Sequence, residues 1–212
     1  MGALTKYNLS EILIDQGRYD EAEPLIREVI RVWRASGAEG DAAEGQRELA
    51  RLLARRGDID DARPLLESAR AYQSHAGKLG EVLRTDARLG EMLLLAGDGG
   101  GALVAIADAD HLAASTDGGS VLQPTLARLR GWAYLQTGRA AEAQATFDGA
   151  LRLARQRGDV HEEALVLDGL LALGTVTEPR RDDLERARRG LFERLGIIES
   201  PQFRGAAESV GA

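Results

Sequence analysis

The chain has 212 residues, of which 44% are hydrophobic and 29% charged, and its net charge is −7. That balance describes a chain able to fold around an apolar core rather than a disordered one, and its acidity, with no long basic tract, argues against nucleic acid as a partner. The absence of cysteine excludes disulfides and thiolate-bound zinc, no apolar run approaches the ~18 residues of a membrane span, and MGALTKYNLSE lacks the blocks of a secretory leader, so a cytoplasmic location is expected.

Apolar residues at three- and four-residue spacing predict a first helix over Ala3–Gln16 and a second over Tyr19–Ser36. SGAEGD, residues 36–41, reads as a turn, followed by helices to Arg56 and over Asp60–His75. Pro24 and Pro64 stand at matching places near the first turn of their helices, where a missing N–H costs little. A fifth helix covers Gly80–Ala96. The glycines of GDGGG, residues 97–101, predict a loosened hinge. They do not indicate a phosphate cradle, because no strand precedes them and neither GKS nor GKT follows. A sixth helix reaches Ser115, TDGGS turns the chain at 116–120, and Pro124 lies in the first turn of a seventh helix ending near Thr137. An eighth covers Ala140–Gln156. Past the RGDV turn, His161–Gly174 and Arg180–Leu195 form a last pair, parted by Thr175–Pro179, and Ile197–Ala212 is a tail. The helical pattern begins almost at Met1 with no capping unit, so the expectation is an array cut from a longer one.

One hinge recurs along this chain. GRYDEA, GDIDDA, GDGGGA and GRAAEA begin at Gly17, Gly57, Gly97 and Gly138, at intervals of 40, 40 and 41 residues. The glycine ends a helix in a left-handed conformation. Asp20, Glu21, Asp60, Asp61 and Glu142 then favour the next helix start through the macrodipole. The small Ala22, Ala62, Ala102 and Ala143 allow two helices to approach closely. A repeated helix–turn–helix unit predicts an all-α solenoid of about five hairpins over residues 1–196, with units at 3–36, 43–76, 83–116, 124–157 and 160–196 and a tail over 197–212. Solenoids grow along one axis, so an elongated, curved particle is expected.

Leu49-Ala50, Leu53, Gly57, Ala62, Leu66 and Ala69, and again Leu89-Gly90, Leu93, Gly97, Ala102, Ile106 and Ala109, resemble the tetratricopeptide repeat. The usual period of that family is about 34 residues; the longer period here, and YNLSEILIDQGRYDEAEPL at Tyr7–Leu25, are similar to its kinesin-light-chain-like variants. DQGRYDEAE, LARRGDIDDAR, RLRGWAYLQTGRAAEA and LFERLGI resemble the C-terminal repeat arrays of bacterial proteins that carry a class III adenylate cyclase or transcription-factor domain and a signalling ATPase. The resemblance implies a right-handed superhelical α–α solenoid. It implies a non-catalytic scaffold, the sensor or docking arm of a larger signalling protein, that binds a protein or peptide. A regulatory subunit of an enzyme complex is the alternative, and an RNA-binding helical repeat a third reading that acidity disfavours. Other domains of a parent chain, or a second copy meeting an exposed terminal repeat, are further partners the architecture allows.

No catalytic constellation, metal site or cofactor is expected. His75, His111 and His161 stand singly; Asp60-Asp61 and Asp182-Asp183 sit at helix starts, where capping explains them; Ser10, Ser68 and Ser120 lack a nucleophile elbow. The resemblance places the first helix of each hairpin on the concave face. The groove residues it implies are Tyr7, Asn8, Glu11 and Asp15, then Glu44, Arg47, Glu48, Arg51 and Arg55, then Arg84, Arg88, Glu91 and Leu95, then Arg128, Trp132 and Gln136. Arg47, Arg51 and Arg55 are four apart and share a helix face, as do Arg84 and Arg88, so the middle of the groove is a candidate site for a partner's carboxylates. The same arginines fit a solvated face paired with Glu44, Glu48 and Glu91, or ion pairs between repeats. The family's chaperone clamp does not transfer, because Tyr7 and Glu11 replace its Lys and Asn. Nor does its asparagine ladder, since Asn8 is matched by Glu48, Arg88 and Leu129. Trp132 is either an apolar anchor in the groove or a filler beside Tyr134, and Trp33 faces the convex or inter-repeat side.

Overall fold

The computed structural model describes residues 2–116 and 118–203; Met1, Asp117 of the TDGGS turn and residues 204–212 of the tail lie outside the described residues. Among the described residues ten α-helices form five consecutive hairpins: α1 (Ala3–Asp15) with α2 (Tyr19–Ala35), α3 (Glu39–Arg56) with α4 (Ile59–His75), α5 (Leu79–Leu95) with α6 (Gly99–Ala114), α7 (Gln123–Gln136) with α8 (Ala140–Arg157), and α9 (Val160–Ala172) with α10 (Arg180–Leu195). A 3₁₀ turn, Gly119–Leu122, precedes α7. Among the described residues there is no strand. Each helix packs on its hairpin partner, and α1 to α9 also pack on the hairpin before or after, which is the stacking of an all-α solenoid.

The recurring hinge works as its chemistry predicts. Gly17, Gly57, Gly97 and Gly138 all have positive φ, and Ala22, Ala62, Ala102 and Ala143 are fully buried where the paired helices touch. A second glycine series, Gly37, Gly77, Gly118 and Gly158, turns the chain between hairpins, also with positive φ, and Gly196 ends α10 in the same conformation. The series makes those connections shorter than expected. Helix α3 therefore begins at Glu39, inside the SGAEGD stretch. Pro24 and Pro64 are the sixth residues of α2 and α4, one turn deeper than the expected first-turn position. The GDGGG stretch is not a loose hinge. The Asp98 side chain accepts the Gly101 N–H at 2.7 Å, capping α6, and Gly99 is buried against α7, where a Cβ would lie 2.8 Å from that of Gln136.

Two apolar clusters run through the stack. One joins the first two hairpins through Ile14, Ile26, Leu52 and Leu66 and reaches Met92. The other extends from Leu83 through Phe147 and Leu170 to Phe203. Phe147 of α8 wedges between α7 and α9, and the missing side chains of Gly131 and Gly169 make room for its ring.

The array does not run outward as an open arc. It turns back until the fifth hairpin meets the first. His161 Nε2 of α9 lies 3.8 Å from Asp15 of α1. Gln16 donates from Nε2 to the Leu195 carbonyl at 3.1 Å and accepts the Ile198 N–H at 2.9 Å. The segment after α10 thus crosses the first hinge directly over Gly17. Replacing Gly17 with Ala should therefore destabilise more than replacing Gly57. Both lose about 1–2 kcal/mol through left-handed φ, but a Cβ at Gly17 would also sit 2.6 Å from the Glu199 carbonyl oxygen, whereas nothing lies within 4 Å at Gly57. Equal losses in thermal unfolding would mean that this closure adds no stability.

Candidate functional site

The inner face is built from the first helices of the hairpins, α1, α3, α5, α7 and α9. On α3 the four-residue spacing of Arg47, Arg51 and Arg55 does align them. They do not line an open groove. Because the superhelix closes tightly, α3 touches α5, α5 touches α7 and α7 touches α9 along their inner edges. Arg47, Arg51, Arg55 and Arg128 are buried, the last at 1% exposure.

Each buried guanidinium meets a carboxylate. Arg47 donates to Glu81 of α5 at 2.5 Å and to Glu48 at 3.2 Å. Arg51 donates to Glu48 at 3.3 Å and to Asp15 of α1. Arg55 donates to Glu91 of α5 at 2.7 Å and to the Ile14 carbonyl at 3.3 Å. Arg88 reaches the other oxygen of Glu91 at 2.9 Å. Arg128 holds both oxygens of Glu162 of α9, at 2.6 and 3.2 Å, while the Thr125 hydroxyl donates to the same carboxylate at 2.8 Å. Five arginines thus meet five carboxylates in a lattice that stitches α1 to α3, α3 to α5 and α7 to α9. This arrangement is the pairing between repeats that the arginine and glutamate spacing allowed.

The lattice holds Glu48, Glu91 and Asp15 ionised. Burial pushes Glu48 up, but Arg88, Arg51 and Arg47 together outweigh it and bring its pKa down to about 2. For Glu91, burial is likewise overcome by Arg55 and Arg88, and for Asp15 by Arg51 and His161; both lie well below the usual carboxylate range.

The other expected groove residues divide. Tyr7 is buried and stacks on Trp33, with ring centroids 5.3 Å apart, and burial pushes its phenol up. Gln136 donates to the Leu94 carbonyl at 2.8 Å, tying α7 to α5. Trp132 is 6% exposed, set edge-on to Phe147 at 5.8 Å and tilted against Phe203 at 5.1 Å. Asn8 is exposed. Arg84 and Arg88 reach solvent at the mouth of the interior, where Glu11, Arg47, Glu48, Leu122 and Thr125 enclose a cavity of about 80 Å³ with them. Glu11 lies above its ordinary pKa because of burial and then of neighbouring Glu48. The mouth therefore carries both signs of charge.

A surface absent from the expected set lies outside the lattice. Between α2 and α4, over α3, Arg27, Arg31 and Arg34 border a cleft of about 340 Å³ whose apolar lining is Ile30, Leu49 and Leu65. The three arginines are exposed, at i, i+4 and i+7 of α2. Arg27 pairs with Glu23 at 2.7 Å; among the described residues Arg31 and Arg34 form no ion pair. No carboxylate lines the cleft. The spacing of these arginines on one face of α2 is a signal in the sequence that could have marked them.

Among the described residues no helix is long and apolar enough to cross a membrane, and no group of three or more His, Asp or Glu is placed to hold a metal ion. The architecture is that of a helical-repeat solenoid. Tetratricopeptide-repeat family models match residues 3–74 and 129–157, so these stretches are similar to that repeat. The hairpin α5–α6 between them, which carries the glycine-rich hinge, packs in the same way. No curated protein matches the chain.

Acid should unlock the lattice. The depressed carboxylates bind fewer protons folded than unfolded, so their stability is present above the unfolded pKa, 4.5 for Glu48, and is lost as pH falls towards the folded value of about 2. Glu48 alone then contributes on the order of 3 kcal/mol. Melting temperature should fall steeply over that window, and Glu91→Gln, which leaves Arg55 and Arg88 sharing a neutral partner, should cost about 3 kcal/mol at neutral pH. A variant that melts like the original would show the lattice to be energetically idle.

Proposed function

We propose that the protein is a non-catalytic docking scaffold in the cytoplasm, an arm of a larger bacterial signalling or regulatory protein, and that it takes an acidic partner segment. Tetratricopeptide repeats generally serve protein–protein interaction, which supports the scaffold role. The observation that carries the choice of partner is the outer cleft. Three exposed arginines border an apolar floor with no carboxylate in its lining, on a chain whose net charge is −7. A segment fitting this cleft sets an apolar side chain on Ile30, Leu49 and Leu65 and its carboxylates on Arg31 and Arg34. Arginine forks suit that recognition.

A second reading keeps the partner at the concave mouth, through Arg84 and Arg88. The half exposure of Arg84, whose nearest carboxylate oxygen, on Glu81, is 3.6 Å away, favours it. The residues Tyr7, Asn8, Glu11, Arg47, Arg51, Arg55, Arg128, Trp132 and Gln136 then shape or support that mouth rather than offer free charge.

Two charge reversals separate the readings once a partner has been purified. Arg31→Glu with Arg34→Glu should weaken binding by about tenfold or more, and the loss should shrink as salt rises, because exposed charge pairs are screened. The fold should survive, since exposed substitutions usually cost about 0.5 kcal/mol or less. If Arg84→Glu with Arg88→Glu weakens binding instead, the partner sits at the mouth. If neither pair of changes moves the affinity, the acidic-partner reading fails.

A further inference from the structure

After α10 the chain behaves in two ways. Ile197 is buried, and Ile198 and Glu199 both donate backbone N–H groups to the Gln16 carbonyl, at 2.9 and 3.4 Å. This stretch is tied to the first hairpin. Ser200–Phe203 follows with no regular secondary structure. Its one hydrogen bond among the described residues is internal, from Gln202 Nε2 to the Ser200 carbonyl at 2.9 Å. Side chains hold it instead. Ser200, Pro201 and Phe203 are buried while Gln202 faces solvent, so the segment is laid against the surface beneath it.

The surface beneath is defined. Trp132, Asp168, Ala172 and Arg188, from α7, α9 and α10, border a cavity of about 260 Å³ with the segment. The Phe203 ring tilts at 52° against Trp132, a geometry that adds aromatic attraction to apolar burial. Trp132 lies four residues beyond Arg128, so it shares the inner face of α7 with the ion-pair lattice. It is an aromatic residue of the inner face, and the chain's own Phe203 covers it.

We propose that the surface around Trp132 is a docking site for an extended segment of a partner protein, with an aromatic side chain two residues after a proline or similar apolar residue, and that Ser200–Phe203 occupies this site in cis. The segment shows the chemistry the surface accepts: a ring against Trp132, an apolar residue two positions earlier, and little demand on backbone hydrogen bonds. A partner must displace it, while Ile197–Glu199 stays anchored and limits how far it can move. The proposal rests on the scaffold reading but not on the outer cleft.

The test uses the full chain and a labelled synthetic peptide of the sequence Ile197–Phe203. Full-length Phe203→Ala should bind the peptide about tenfold or more tightly than the unaltered chain, whose own segment competes at high effective concentration. A peptide carrying Phe203→Ala should not bind. Adding Ala172→Arg, at an exposed position bordering the cavity, should abolish binding by Phe203→Ala while its helical circular dichroism is kept. Equal affinity of the altered and unaltered chains overturns the proposal, as does a folded Phe203→Ala chain that ignores the peptide. So does a Phe203→Ala chain that cannot fold, because Phe203 is then core and not a removable ligand. Dimers of the unaltered chain that grow with concentration and vanish in Phe203→Ala would mean exchange between copies and overturn the cis arrangement. Arg31→Glu with Arg34→Glu should leave peptide binding unchanged, so failure here and failure of the acidic-partner reading remain separate results.

Discussion

A guanidinium cannot be buried alone. Its desolvation is repaid only by a close carboxylate with good geometry. In this protein that constraint reaches across the interior, since Arg51, Arg55 and Arg128 find their partners on α1, α5 and α9. Each pair is a geometric condition on two helices from different hairpins. Satisfying them together sets how far each hairpin can rotate against the next. Apolar packing alone would allow a range of curvatures at similar energy, because Leu, Ala and Ile contacts are non-directional. The lattice discriminates among these, because each pair requires one relative placement of its two helices.

Closure changes what the fold offers a partner. An open solenoid presents its concave face as a long binding surface. Here that face is spent on the protein itself: charges neutralise charges, Gln136 ties α7 to α5, and Phe203 covers Trp132. The cavities that stay open lie at the rim and outside, at the mouth near Arg84 and in the cleft bordered by Arg31. The first hinge has a double role, since Gly17 turns a helix pair and also lets the backbone of Glu199 pass over it. The other hinges have only the first of these roles, although all four share a sequence pattern.

The two ends of the array differ in chemistry. Helix α1 exposes Leu4 and Ile12, whereas Leu52 and Met92, the counterparts of Ile12 on α3 and α5, are fully buried under the preceding hairpin. Helix α10 turns charged residues outward and keeps Leu184 and Leu191 buried. The C-terminal hairpin thus carries its own polar cover, while at the other end the face of α1 is apolar.

The helix pairs, their hinges and their number were legible in the residue order alone. Those features depend on neighbours within about one turn: glycine at a left-handed position, alanine at a close contact, leucine at three- and four-residue spacing. The glycines between hairpins carried the same signal, and it places the start of α3 at Glu39. The face shared by Arg47, Arg51 and Arg55 was equally readable. Whether that face meets solvent was not, because exposure depends on curvature, and curvature is the sum of small rotations over five hairpins that no local spacing encodes. Only the tertiary structure brought Asp15 to Arg51, returned the chain after α10 to Gln16, and set Phe203 on Trp132. Each is a contact between residues far apart in the chain, made when the last hairpin comes round to the first.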